Sequence, residues 1–175
     1  KKAAELHGKR ERRFTLHTDI ATAPTGSKTL YLVRHGEGEH NSWRAAELAA
    51  GRTPHAKRSN WEQVPKGLHD PLLTAQGEVD AVQAAGSARE LPVPQLRVVS
   101  PLRRATQTGL IVFEHAVREG MAVVAHELCR EAFFGHDPSI YDSRLPRDAL
   151  KRAYPQVEYE TYVFEEEDPR VRLWE

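Results

Sequence analysis

Arg34, His35, Gly36 and Glu37 stand together at the end of a short apolar run, with Asn41 a few residues on. A neutral imidazole serves as nucleophile or general base near neutral pH, its ordinary pKa being about 6.5. A guanidinium directly before it offers a planar fork of N–H donors that matches phosphate or carboxylate. Gly36 removes a side chain where the backbone would approach a ligand. A helix starting just downstream would add N–H donors for an anion. Cation, nitrogen nucleophile and open backbone suit phosphoryl transfer to nitrogen, a reaction helped mainly by positioning and charge stabilisation.

A second group is Ser100-Pro101-Leu102-Arg103-Arg104-Ala105-Thr106-Gln107-Thr108. It reads as a strand end followed by the first turn of a helix. Cations there oppose the helix dipole at about 0.3–1 kcal/mol each when exposed. A charge-assisted hydrogen bond is worth about 1.5–3 kcal/mol, so an anionic partner would outweigh that cost. A third group is Glu131, followed by Phe133 and Phe134. Apolar neighbours would raise the pKa of its carboxyl. A protonated Glu there gives its proton to a leaving alkoxide and then serves as base for water.

The elements that must position these groups alternate. Residues 29–33 form a β-rich apolar run, expected as a buried strand that delivers Arg34 and His35 at its tip. Asn41 or Ser42 is expected to cap a helix running to about residue 50, ended by Gly51. Prolines 54, 65 and 71 with Gly67 make residues 51–73 loop-like. Thr74 reads as the cap of a helix over residues 75–90, with Ala75, Val79, Val82 and Gly86 on its inner face. Residues 96–99 give a second strand. Residues 102–119 give a helix with Ala105, Gly109, Val112 and Ala116 inward, and residues 121–125 a third strand. Residues 130–146 read as irregular, and a short helix over 147–154 precedes Pro155. Alternating strands and helices imply an α/β fold with a mainly parallel central sheet and helices on both faces. Ligands in such folds bind outside the carboxyl ends of the strands. Arg34-His35, Arg103-Arg104 and Glu131 all fall at or just after such ends.

Bulk properties narrow the choice. A length of 175 residues suits one domain, residues 29–175, preceded by a charged, then Pro- and Gly-bearing arm over residues 1–28. An apolar share of 39% with 29% charged residues excludes wholesale disorder. Zero net charge argues against a nucleic-acid partner. No apolar run is long enough to span a membrane and no secretory leader is visible. The single Cys129 forms no intrachain disulfide, so a reducing, cytoplasmic setting is expected. His35 and His40 lack zinc-like spacing, so no metal site is expected. Trp43, Trp61 and Trp174 read as packing residues. The chain begins with Lys1 rather than Met, so a longer product is expected.

Together these groups resemble the histidine phosphatase superfamily, which includes the cofactor-dependent phosphoglycerate mutases. Leu32-Val33-Arg34-His35-Gly36-Glu37 with Asn41 resembles its R-H-G-E signature. Asp70-Pro71-Leu72-Leu73-Thr74-Ala75-Gln76-Gly77 is similar to its D-x-x-L-T-x-x-G helix start, and residues 100–108 to S-P-L-x-R-A-x-Q-T. Residues 128–135 resemble its L-x-E acid segment. The resemblance implies a phosphoglycerate mutase-like three-layer sandwich. It also implies roles: His35 as the nucleophile that becomes phosphohistidine, Arg34 and Arg104 as clamps on phosphoryl oxygens, Asn41 as a further substrate donor, Glu131 as proton donor. The substrate would be a small phosphorylated molecule, with no metal and no cofactor, bisphosphoglycerate being needed only by a mutase.

One departure stands out. The family carries a second pocket histidine late in the chain, after another apolar strand, and no residue here fits it. His126 precedes the acid segment, and His136 follows no strand. Glu165 to Trp174 resembles a segment upstream of that missing strand, so the domain reads as incomplete at its C-terminus, with low activity expected of a chain ending at Glu175. Three functions follow in order: a phosphomonoester phosphatase, a phosphoglycerate mutase, and an inactive phospho-ligand binder. Residues 42–70 and 132–165, which would select substrate, carry no readable pattern, and the sequence carries no sign of oligomeric state.

Overall fold

Three short β-branched segments make the sheet. In the computed structural model, which describes residues 24–54, 64–131 and 139–169, they are β1 (Arg97–Val99), β2 (Val123–Ala125) and β3 (Val157–Glu158). All pair in parallel in the order β1-β2-β3, with Val98 opposite Val124 and Val123 opposite Val157. Parallel neighbours need crossover connections, and helices supply them. Helices α3 (Arg103–Val112) and α4 (Glu114–Arg118) link β1 to β2, and α5 (Arg147–Ala153) lies between β2 and β3. Before the sheet come α1 (Glu39–Ala49) and α2 (Ala75–Ala88). The architecture is α/β with a parallel sheet, as the alternation implies. Among the described residues no helix is long and apolar enough to cross a membrane.

The chain divides into two compact units, Lys1–Leu32 and Val33–Glu175. The expected strand over residues 29–33 is not formed: this stretch belongs to no sheet among the described residues. Leu30 and Leu32 are 73% and 85% exposed. A strand is stable only when a neighbour takes up its N–H and C=O groups, and residue type alone does not supply one.

In the larger unit one apolar cluster joins Val99, Val123, Ala125 and Val157 of the sheet to Leu150, Tyr159 and Val163. A second joins Ala81 and Ala88 of α2 to Val112, Phe113 and Ala116. The inner face of α2 therefore differs from the expected one. Gly77, Ala81 and Ala88 are buried, while Val79 and Val82 are 49% and 62% exposed. Gly77 lies against the Glu37 backbone, where a Cβ would run into the Glu37 carbonyl oxygen, so this face of α2 needs a glycine there. The long helix expected over residues 102–119 is broken at Phe113. Arg97, buried in β1, donates to the carbonyls of Gly109 (2.9 Å) and Phe113 (3.3 Å) and lies over the Phe113 ring. Both carbonyls keep their helical donors, Phe113 N–H (3.3 Å) and Val117 N–H (3.1 Å), while Phe113 itself leaves the helical angles at φ −112° and ψ 30°. Strand β3, only two residues long and half polar, gives no sequence signal.

Candidate active site

The turn that carries His35 is fastened by backbone bonds before any side chain is considered. Glu39 N–H donates to Leu72 O (3.0 Å), Thr74 N–H donates to Glu37 O (2.9 Å), and Gly38 pairs with Leu73 in an antiparallel bridge. Glu39 accepts from Leu72 N–H (3.1 Å), and the Thr74 hydroxyl donates to the Glu37 carboxylate (2.7 Å). Thr74 also caps α2 by accepting from Gly77 N–H (3.0 Å), as its position predicts. Gly36 faces protein here: a Cβ built on it would lie 2.6 Å from the Gly77 carbonyl oxygen. The glycine expected to open space for a ligand thus serves a contact with the start of α2.

Helix α1 begins earlier than the sequence suggests. Its cap is Gly38, whose N–H donates to the Asn41 carboxamide oxygen at 2.9 Å. Asn41 is the third helical residue, so that oxygen is engaged within the turn.

His35 is half-buried and its Nδ1 lies 2.7 Å from the Gly36 carbonyl oxygen. A carbonyl only accepts, so Nδ1 carries the proton and Nε2 is left with its lone pair. Burial lowers the His35 pKa most; the Gly36 contact raises it, Arg104 and Arg34 lower it, and Glu131 raises it, with a net lowering. The structure thus brings Arg34, Arg104 and Glu131 within electrostatic reach of His35. Arg34 and Glu131 are exposed, whereas Arg104 is 1% exposed. Phe133 and Phe134, expected beside Glu131, lie outside the described residues, as do His136, Trp61 and Trp174.

The two arginines of the second group both face anions, and those anions belong to the protein. Arg103 N–H donates to Asp70 Oδ1 (2.8 Å), and its Nε donates to the Asp70 carbonyl (2.6 Å). Arg104 donates from Nη2 to Asp142 Oδ1 (2.8 Å) and from Nη1 to Tyr141 O (2.7 Å). Further on in α3, the Thr108 hydroxyl donates to Arg104 O (2.8 Å) and accepts from Gly36 N–H (3.1 Å), joining the helix to the His35 turn.

His40 was not singled out by its sequence context, yet it lies beside the nucleophile candidate. The two ring centroids are 6.0 Å apart, and the Tyr141 ring is 4.8 Å from His40. His40 is 5% exposed and its Nδ1 has no hydrogen-bond partner among the described residues. Burial first, then the Arg104 charge, push its pKa down to about 3, so the ring stays neutral. The sequence signal for this placement is positional: residue 40 falls in the first turn of a helix that starts at the R-H-G turn. His126 lies elsewhere, stacked on Tyr162 and accepting from Leu128 N–H. Trp43 packs against the Val64, Leu68 and Tyr141 cluster.

The described residues therefore join a neutral imidazole to two guanidinium groups and a carboxylate, with the acceptor nitrogen set by a backbone carbonyl. Residues 30–156 match the histidine phosphatase superfamily (branch 1). Over 94 residues the chain is 34% identical to a protein of Schizosaccharomyces pombe named as a probable phosphatase, covering 53% of this chain. The chain spans about a third of that relative's length, 35%. No solved structure matches it significantly. The extent of the family match, on top of the His35, Arg104 and α2-start geometry, shows that the chain belongs to the histidine phosphatase superfamily.

Proposed function

We propose that the chain hydrolyses a small phosphomonoester through a phosphohistidine at His35. The observation that carries this reading is the 2.7 Å contact of His35 Nδ1 with the Gly36 carbonyl, beside the Arg104 and Arg34 charges. It leaves Nε2 as the nucleophilic atom. In the first step the Nε2 lone pair attacks phosphorus, the ester P–O bond breaks, and the leaving alkoxide takes a proton from the Glu131 carboxyl. In the second, water attacks phosphorus, the N–P bond breaks, and the Glu131 carboxylate takes the water proton. Arg34 and Arg104 offset the charge that gathers on the phosphoryl oxygens. The chemistry asks for no metal or other cofactor in this reading. Para-nitrophenyl phosphate turnover, set beside conversion of 3- to 2-phosphoglycerate with and without bisphosphoglycerate, tests it. Hydrolysis without mutase activity, lost in His35→Ala, is expected. Undiminished hydrolysis in His35→Ala, or mutase activity alone, contradicts it.

A further inference from the structure

Arg104 is a buried cation whose fixation is unequal around its guanidinium. A buried charge is held in place by partners, and a guanidinium offers five N–H groups in a rigid plane. Here Nη1 and Nη2 are bound by one short turn, the 3-10 helix Ile140–Asp142, through the Tyr141 carbonyl and the Asp142 carboxylate. Nε is buried and has no partner among the described residues. The turn itself is anchored by a second arginine. Arg130 donates to the Asp142 carbonyl (2.5 Å) and pairs with Asp168 (2.6 Å), which also accepts from Arg144 N–H (2.6 Å). Tyr141 lies against His40 and its hydroxyl accepts from Arg44 (3.3 Å).

We propose that Asp142 is a positioning residue for Arg104: its carboxylate grips the tip of the guanidinium and so fixes the cation whose charge acts on His35. This rests on the reading that Arg104 binds the phosphoryl group. Asp142 itself makes no contact with substrate in this arrangement; it sets the rotamer and tilt of the group that does. The same ion pair has an opposite possible meaning, in which the Asp142 carboxylate competes with phosphate for Arg104. The two meanings give opposite signs in a binding experiment.

The test is a double-mutant cycle. Orthovanadate affinity is measured by calorimetry, and para-nitrophenyl phosphate turnover by absorbance, for Asp142→Asn, Arg104→Ala and the double variant. Positioning predicts that Asp142→Asn weakens orthovanadate binding about tenfold and lowers kcat. It predicts less than a twofold further loss when Asp142→Asn is added to Arg104→Ala. A general packing defect would instead give the same loss in both backgrounds, which overturns the proposal. Tighter orthovanadate binding in Asp142→Asn overturns it in favour of competition. Should Asp142→Asn fail to fold, Asp142→Glu carries the test: it keeps the charge and displaces Arg104, and native circular dichroism with weakened binding is expected. Full affinity in Arg104→Ala removes the parent reading and this one with it. Loss in Arg104→Ala with none in either Asp142 variant removes this one alone.

Discussion

Gly36 and Gly77 meet backbone to backbone. A Cβ on Gly36 would lie 2.6 Å from the Gly77 carbonyl oxygen, and one on Gly77 would run into the Glu37 backbone. Two glycines 41 positions apart thus let the His35 turn rest directly on the first turn of α2. The phosphoryl-transfer candidate is located by that contact as much as by its own side chains.

Gly77→Ala tests the contact. The obstructing atoms are main chain, which moves only with the whole turn, so a destabilisation of about 1–3 kcal/mol is expected in urea unfolding. Gly86 lies in the same helix with no atom within 4 Å of a built Cβ. Gly86→Ala is therefore expected to raise stability by up to about 1 kcal/mol, through helix propensity. Equal effects at the two sites would contradict the close approach.

The pH dependence of the first step follows from the His35 environment. In the proposed mechanism the nucleophile is the neutral ring, and burial with the Arg104 and Arg34 charges lowers its pKa from the usual imidazole value. The acid limb of kcat/KM is thus expected below about pH 6.5. Removing a nearby cation raises the pKa, so Arg34→Ala should move the limb toward higher pH while lowering the plateau. A limb that stays fixed in Arg34→Ala would separate Arg34 from His35.

Much of this site was legible from residue types because its parts are local. Arg34-His35-Gly36, the Thr74 cap and the Arg104 helix start each lie within a single turn, and the structure joins the first two by backbone bonds and the third through the Thr108 hydroxyl. What was not legible depends on partners distant in sequence. The Leu30 to Val33 run has the composition of a buried strand, but a ladder requires a neighbour. Val79 and Val82 were expected inward by spacing, whereas the fold turns Ala81 into the cluster with Val112, Phe113 and Ala116 and sets Gly77 against the Glu37 backbone. Arg103 and Arg104 announced an anion; only the fold shows that Asp70 and Asp142 are near enough to provide it. His40 has no signal of its own, and its neighbour Tyr141 is 101 residues away.

His40 makes stability depend on acid. It is neutral in the folded protein down to about pH 3, while an unfolded histidine protonates near pH 6.5. Its contribution is therefore complete above about pH 6.5 and is lost as the pH falls from there toward 3, by up to about 1.4 kcal/mol per unit. His40→Phe keeps the ring against Tyr141 and removes the titration. Its Tm is expected to fall less steeply between pH 6.5 and 4 than that of the parent chain; parallel slopes would contradict the buried neutral ring.

Asp70 ties three segments together. Fully buried and at a positive φ of 47°, it accepts from Arg103 N–H and, at 3.0 Å, from Leu145 N–H. Asp70→Ala leaves both donors without their acceptor and is expected to cost about 2–4 kcal/mol. Asp70→Asn keeps one acceptor oxygen and tolerates the backbone angle, so about half that loss is expected. Thermal unfolding of the two variants measures it, and a loss below 1 kcal/mol in Asp70→Ala would remove the tie.

The central claim is that His35 takes the phosphoryl group. Rapid acid-free quenching of the chain with para-nitrophenyl phosphate, followed by peptide mass spectrometry, reads this directly. One acid-labile phosphoryl group on the His35 peptide is expected, absent from His35→Ala and diminished in Arg104→Ala. A turning-over enzyme with no phosphoryl group on His35, or with one on another residue, would contradict it.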